Sequence, residues 1–251
     1  MNDRIDIQRF LDRLDSCFDR NDMRAARECL TFWEGEARRL GDDRGLLTVL
    51  NEAVGFYRRT QKKGKALRAM EESLALTEAL GVGDTPSGAT VYINAATTLA
   101  FFGREEEGLS LYDKAAACYR SAGRTDTYEY AALLNNKAGT LNALKRYDEA
   151  EACWQEAVAI LKAEGRHDGE IAISLVMLAH LTFDRDDTAY DAVEALLDEA
   201  WEYINSDRQV RDGNYAYVLR KCAPSFDYFQ RPIEAQALRE VAQEIYESNR
   251  R

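Results

Sequence analysis

Residues 131–161 read AALLNNKAGTLNALKRYDEAEACWQEAVAIL. In the first half, Ala131, Leu134, Ala138 and Leu141 recur at three- and four-residue steps, which places them on one stripe of an α-helix. Ala150, Trp154, Ala157 and Leu161 do the same in the second half. The LKRYDEA segment between them leaves no room for a long loop, so the two helices fold back as an antiparallel pair. Ala138 and Ala150 are small where the two backbones come closest, and Trp154 supplies bulk beside them. A lone hairpin cannot bury both of its apolar faces and needs a neighbour like itself.

That neighbour is in the sequence, because the hairpin repeats. Gly81, Gly123 and Gly165 stand 42 residues apart, with Gly41 preceding them by 40, in the words RRLGDD, EALGVGD, RSAGRTD and KAEGRHD. Glycine just past a helix supplies the left-handed residue that ends it. Small residues near the start of each second helix recur as Ala26, Ala66, Gly108, Ala150, Val193 and Ala235. Those of the first helices are Ala53, Ala96, Ala138, Ala179 and Ala223. The spacing predicts an all-α chain of about six antiparallel helix pairs, with units near 4–43, 44–86, 87–129, 130–170, 171–213 and 214–251. No linker interrupts them, which predicts a single domain over 1–251. Unit one is the least regular, with bulky Leu14 and Trp33 at small-residue places. The turn DRDDTAYD of unit five reads as a two-residue insertion, and Pro224 is predicted to kink or restart its helix.

Composition agrees with a helical core: 46% hydrophobic residues, three prolines and 15 glycines in 251 residues. Lys and Arg total 33 against 44 Asp and Glu, a net charge of −11, which lacks the basic footprint of nucleic-acid binding. No apolar run approaches the roughly 18–20 residues of a membrane span. The N-terminal MNDRIDIQRF is charged rather than signal-like, so a cytoplasmic location is expected. Cys17, Cys29, Cys118, Cys153 and Cys222 fall in helical patterns without metal-ligand spacing and read as small core hydrophobes.

The unit LNNKAGTLNALKRYDEAEACWQEAVAIL resembles the tetratricopeptide repeat, in the 42-residue variety of kinesin light chains and many bacterial proteins. Leu134, Asn135, Asn136 and Ala138 match that family's first-helix word, with Lys137 in place of its second apolar residue. Tyr147, Glu149, Ala150 and Glu151 match its turn, with Lys145 where glycine is common. The likeness is strong in units two to four and weaker elsewhere. It implies a right-handed superhelical solenoid whose first helices line a concave groove. It also implies binding rather than catalysis, although the architecture serves many partners.

Chemistry-bearing motifs are absent from the sequence: no GxSxG, HExxH, phosphate-binding loop or dinucleotide glycine fingerprint occurs. Acidic pairs such as Glu105–Glu106 and Asp186–Asp187 are adjacent in turns and do not converge on a helix face. His167, in the turn GRHDG, is expected to be solvated; His180 either faces the groove or sits satisfied in the core. No enzyme activity, catalytic residue, metal or cofactor is expected.

The informative polar residues are Asn51, Asn94 and Asn136, each two places before the small alanine of a first helix. Asparagine is a mediocre helix former, so its recurrence calls for a reason. Such a ladder can hold the backbone of an extended peptide, as the resemblance implies, or bond to the adjacent repeat and fix its geometry. Candidate peptide-binding residues are Asn51, Arg58, Asn94, Thr97, Asn135, Asn136, Asn142, His180, Tyr217 and Arg220. The expected function is a protein- or peptide-binding scaffold, with no nucleic acid or membrane partner. The alternatives are a self-assembling homo-oligomer and a peptide-sensing regulator.

Overall fold

The computed structural model describes residues 4–249, which form twelve α-helices and no strand among the described residues. In chain order these are α1 (Ile7–Asp19), α2 (Met23–Leu40), α3 (Asp43–Arg59), α4 (Lys63–Ala79), α5 (Pro86–Phe101) and α6 (Glu105–Ser121). There follow α7 (Tyr128–Ala143), α8 (Tyr147–Glu164), α9 (Asp168–Arg185), α10 (Tyr190–Ile204), α11 (Gly213–Tyr228) and α12 (Pro232–Ser248). The spacing predicted one domain; the contacts group the helices into two compact units, one built on α1–α6 and the other on α7–α12.

Short turns set the pairing. Gly41, Gly81, Gly123 and Gly165 all take φ between 62° and 72°, the left-handed conformation predicted for them. A second left-handed series, unmarked by glycine in four of five cases, ends α1, α3, α5, α7 and α11. It runs through Asn21, Gln61, Gly103, Lys145 and Gln230, with φ from 53° to 82°. In each case the next backbone N–H reaches back five residues, as Lys62 to Tyr57, Arg104 to Leu99 and Arg146 to Leu141, at 2.8–2.9 Å. These closures satisfy helix-end carbonyls that no residue of the next turn could reach.

Small residues then let the paired helices touch through their backbones. A Cβ added to Gly108 of α6 would lie 2.8 Å from the carbonyl oxygen of Ala96 in α5. Ala138 and Ala150, the corresponding contacts of α7 and α8, are fully buried, and Trp154 fills the space beside them at 2% exposure. The first pair meets through bulk, with the Phe10 and Trp33 rings 6.1 Å apart and Leu14 buried alongside.

Ion pairs link successive units within each half. Arg38 of α2 grips Glu72 of α4 through two 2.7 Å bonds, and Lys162 of α8 reaches Glu199 of α10 at 2.6 Å. The buried carboxylate of Asp168 accepts two bonds from Arg208, at 2.7 and 2.9 Å, which ties the α10–α11 loop to the start of α9. Of the two outcomes expected at Pro224, a kink or a restart, the restart does not occur: α11 is continuous through it. The proline is solvent-exposed, as is Arg220, whose carbonyl it leaves without a helical donor, so water can satisfy that group.

Two substitutions test this account by thermal or urea melts. Gly108→Ala should lower stability by roughly 1–2 kcal/mol, because overpacking against a backbone oxygen outweighs the gain in helix propensity. Lys145→Gly should raise stability by about 0.5–1 kcal/mol by relieving a left-handed lysine.

Candidate binding face

The ten candidate residues fall four in the first unit and six in the second. In the first, Asn51 is buried and its Oδ1 accepts a 3.0 Å bond from Nδ2 of Asn94, joining α3 to α5. Arg58 reinforces the same junction, donating to Oγ1 of Thr98 at 3.2 Å and to the Asn94 carbonyl at 3.4 Å. Thr97 turns to its own hairpin partner, with its Oγ1 2.8 Å from the hydroxyl of the fully buried Tyr112. These four side chains are occupied with neighbouring helices.

The second unit has a more open first-helix face. Asn135 Oδ1 accepts from Ser174 Oγ at 2.9 Å, and His180 Nε2 meets Ser225 Oγ at 3.0 Å, so α7, α9 and α11 are bonded side by side. Beside these bonds each helix turns one stripe outward at a 4-3-4 spacing. On α7 it is Ala132, Asn136, Gly139 and Ala143; on α9 it is Ile173, Met177, His180 and Asp184; on α11 it is Tyr217, Lys221, Pro224 and Tyr228. All four α11 positions are exposed, Tyr217 by 40% and Tyr228 by 54%. The Lys221 ammonium lies 5.7 Å from the Tyr217 ring centroid. Asn136 is exposed and its Nδ2 donates to the carbonyl of Ala132 at 2.8 Å, with no bond to its Oδ1 among the described residues. Asn142 is half-buried with an unbonded Oδ1, and Arg220 turns toward α12, 6.0 Å from the Tyr246 ring.

Residues 131–164 match the family model of the tetratricopeptide repeat. The crystal structure of BtubC (BKLC) from P. vanneervenii is similar to this chain with a TM-score of 0.63 and 16% identity, over 90% of this chain and 92% of that one. A Podosopora anserina kinesin light chain structure with nearly identical TPR-like repeats gives 0.56 and 19%, over 82% and 97%. A Rap protein complexed with Competence and Sporulation Factor gives 0.60 and 16%, over 94% and 73%. A search of curated proteins finds no significant match. At these identities the likeness is one of fold. The fold is that of these tetratricopeptide-repeat solenoids.

Within that repeat fold, the aromatic end of the face is built where α9 and α11 finish. The His180 ring lies 4.8 Å from that of Phe229 and 5.1 Å from that of Tyr228, and Phe183 packs edge-on against both. Burial pushes the His180 imidazole below its ordinary range, against the opposing pull of Asp184. At the other end, the expectation of a solvated His167 is corrected. Its ring stacks 4.4 Å from that of Tyr128 and its Nε2 sits 2.9 Å from Glu164, whose other oxygen takes the Tyr128 N–H at 2.8 Å. Burial, with the charges of Glu170 and Glu129, pushes the Tyr128 phenol up to about 12, so it stays protonated. This cluster caps the start of α7.

Among the described residues no group of three or more His, Cys, Asp or Glu is placed to hold a metal, and no helix is long and apolar enough to cross a membrane. The five thiols are free, four of them buried, and burial raises Cys222 to about 12. Sequence reasoning on repeat positions missed Met177, Gly139 and Pro224 as parts of the face, and Ser174 and Ser225 as its braces. Starting the 4-3-4 count six places before the small alanine of each first helix would have found the first three.

The lowered affinity of His180 for protons gives a sign. An unfolded chain protonates at this residue at higher pH than the folded one, so the group costs stability as pH falls through the ordinary histidine range. His180→Gln should therefore flatten part of the stability loss between pH 7 and 5, measured as the difference in urea-midpoint slopes. Parallel slopes for the two proteins would remove His180 from this role.

Proposed function

We propose that the chain is a non-enzymatic scaffold that takes an extended segment of a partner protein across the outward stripes of α7, α9 and α11. The observation that carries this reading is the α11 stripe, two exposed tyrosines flanking Lys221 and Pro224 on one helical face. Aromatic and cationic side chains on a rigid helix are the usual source of interface energy, because they offer large contact area with little entropy to lose. Small Ala132, Gly139 and Ala143 on α7 leave room for a peptide backbone to approach. The outward Oδ1 of Asn136 can accept from a backbone N–H there. A similar fold has been crystallised with a bound factor, the Rap protein with Competence and Sporulation Factor, which supports the class of function. In this reading Asn51, Arg58, Asn94 and Thr97 brace the first unit, while Asn135 and His180 brace the second beside the ligand.

Affinity capture with the full chain as bait tests it. Tyr217→Ala combined with Tyr228→Ala should weaken the captured partner by about 2 kcal/mol or more, roughly thirtyfold, with an unchanged thermal melt. Undiminished capture by that folded variant would move the interface elsewhere.

A further inference from the structure

The first unit carries a polar cleft that the proposed binding face does not use. It lies between the start of α1 and the middle of α2 and encloses about 310 Å³. Arg4, Arg9 and Arg13 line it from the first segment, and Phe32 and Trp33 line it from α2. Many of the chain's other arginines are paired with carboxylates, whereas these three are exposed and form no ion pair among the described residues. The two acids at the cleft are already engaged. Asp6 Oδ1 accepts the Arg9 backbone N–H at 3.0 Å, and Glu36 is bound by the Arg39 guanidinium at 2.8 Å, which holds its carboxyl below the usual range. Phe32 is 58% exposed, an unusual cost for a large apolar side chain, and stands edge-on to Trp33 at 5.4 Å.

We propose that this cleft binds an extended acidic peptide segment of a partner protein, with two carboxylates two residues apart and a large apolar side chain beside them. Arg9 and Arg13 stand one turn apart on α1, a rise of about 6 Å. In an extended strand, side chains two residues apart point the same way at about 6.6 Å, so Glu-x-Glu places its charges in register with the two guanidiniums. The intervening or following apolar side chain then meets Phe32 and the edge of Trp33. Three arginines against Asp6 and a Glu36 already paired with Arg39 leave the cleft net positive, which selects such a segment and disfavours basic ones.

Calorimetric titration of the full chain tests the cleft with three acetylated, amidated probes: Glu-Phe-Glu-Leu-Glu, Glu-Ser-Glu-Ser-Glu and Lys-Phe-Lys-Leu-Lys. The first should bind, the second at least fivefold more weakly, and the third not at all. Affinity for the first should fall as sodium chloride rises from 50 to 300 mM. Arg9→Glu with Arg13→Glu should reduce it at least tenfold with an unchanged melting curve. Arg68→Glu with Arg120→Glu, the same charge change on α4 and α6, should leave it within about twofold. No heat at millimolar probe, equal binding of inorganic phosphate and peptide, or equal loss in both double variants would each overturn the proposal. The scaffold face on α7, α9 and α11 does not enter this experiment, so either reading can fail alone.

Discussion

Backbone contact inside each helix pair is the constraint on which the other features depend. Where Gly108 faces Ala96 there is no room even for a methyl group, and fully buried alanines hold the corresponding place in α7 and α8. Helices that approach this closely cannot rotate about their own axes without collision, because every other side chain at the crossing is larger. Fixing that rotation fixes which residues of each first helix point outward. The 4-3-4 stripe, set at a fixed offset from the small alanine, is therefore a consequence of packing. The first pair shows the converse: with Phe10, Leu14 and Trp33 at the crossing, aromatic bulk replaces backbone contact, and its α2 carries Phe32 outward.

The turns impose the second condition. A helix pair held at its small residues must reverse direction within a few residues, and one left-handed residue followed by a five-residue backbone closure does this at the short turns, except at Gly165, whose own N–H bonds the Leu161 carbonyl. Glycine marks the turns between units, where the sequence displays it, but within the units, Gly103 apart, the conformation is carried by asparagine, glutamine and lysine. Those residues tolerate it at a cost because the flanking helices are already positioned by their cores. Unit five, with its longer turn, escapes the requirement by adding residues, and there Asp186 caps the connection through Thr188 instead.

Twelve helices, their pairing and the positions of the small residues were legible because each rests on a local rule: helical periodicity, glycine after a helix, smallness at a crossing. The asparagine ladder was legible as a pattern but not as a role. Position alone does not say whether an amide is covered, and cover depends on the neighbouring repeat. The helix continues through Pro224 for a related reason. Proline costs a helix most where its carbonyl partner is buried, and here Arg220 lies at the surface. His167 read as a loop residue because its stacking partner, Tyr128, lies 39 positions earlier in the chain.

The three asparagines of the ladder show how neighbours decide. A buried amide must find a partner, since an unpaired one costs on the order of 1–3 kcal/mol. Asn51 is buried, and the residue at its position in the next first helix is Asn94, whose amide donates to it; the pair closes on itself. Asn136 occupies the same position in α7, but its counterpart in α9 is Met177, which offers no matching donor or acceptor. The lateral bond passes instead to Asn135 and Ser174, and Asn136 folds one N–H back to its own helix while its oxygen stays outward. A single change of residue type one repeat away thus releases an amide from bracing. The same substitution puts a flexible thioether on the outward stripe, a side chain suited to irregular partner surfaces. Whether an amide at this register position braces its neighbour is therefore decided locally, by whether the following repeat supplies a reciprocal partner.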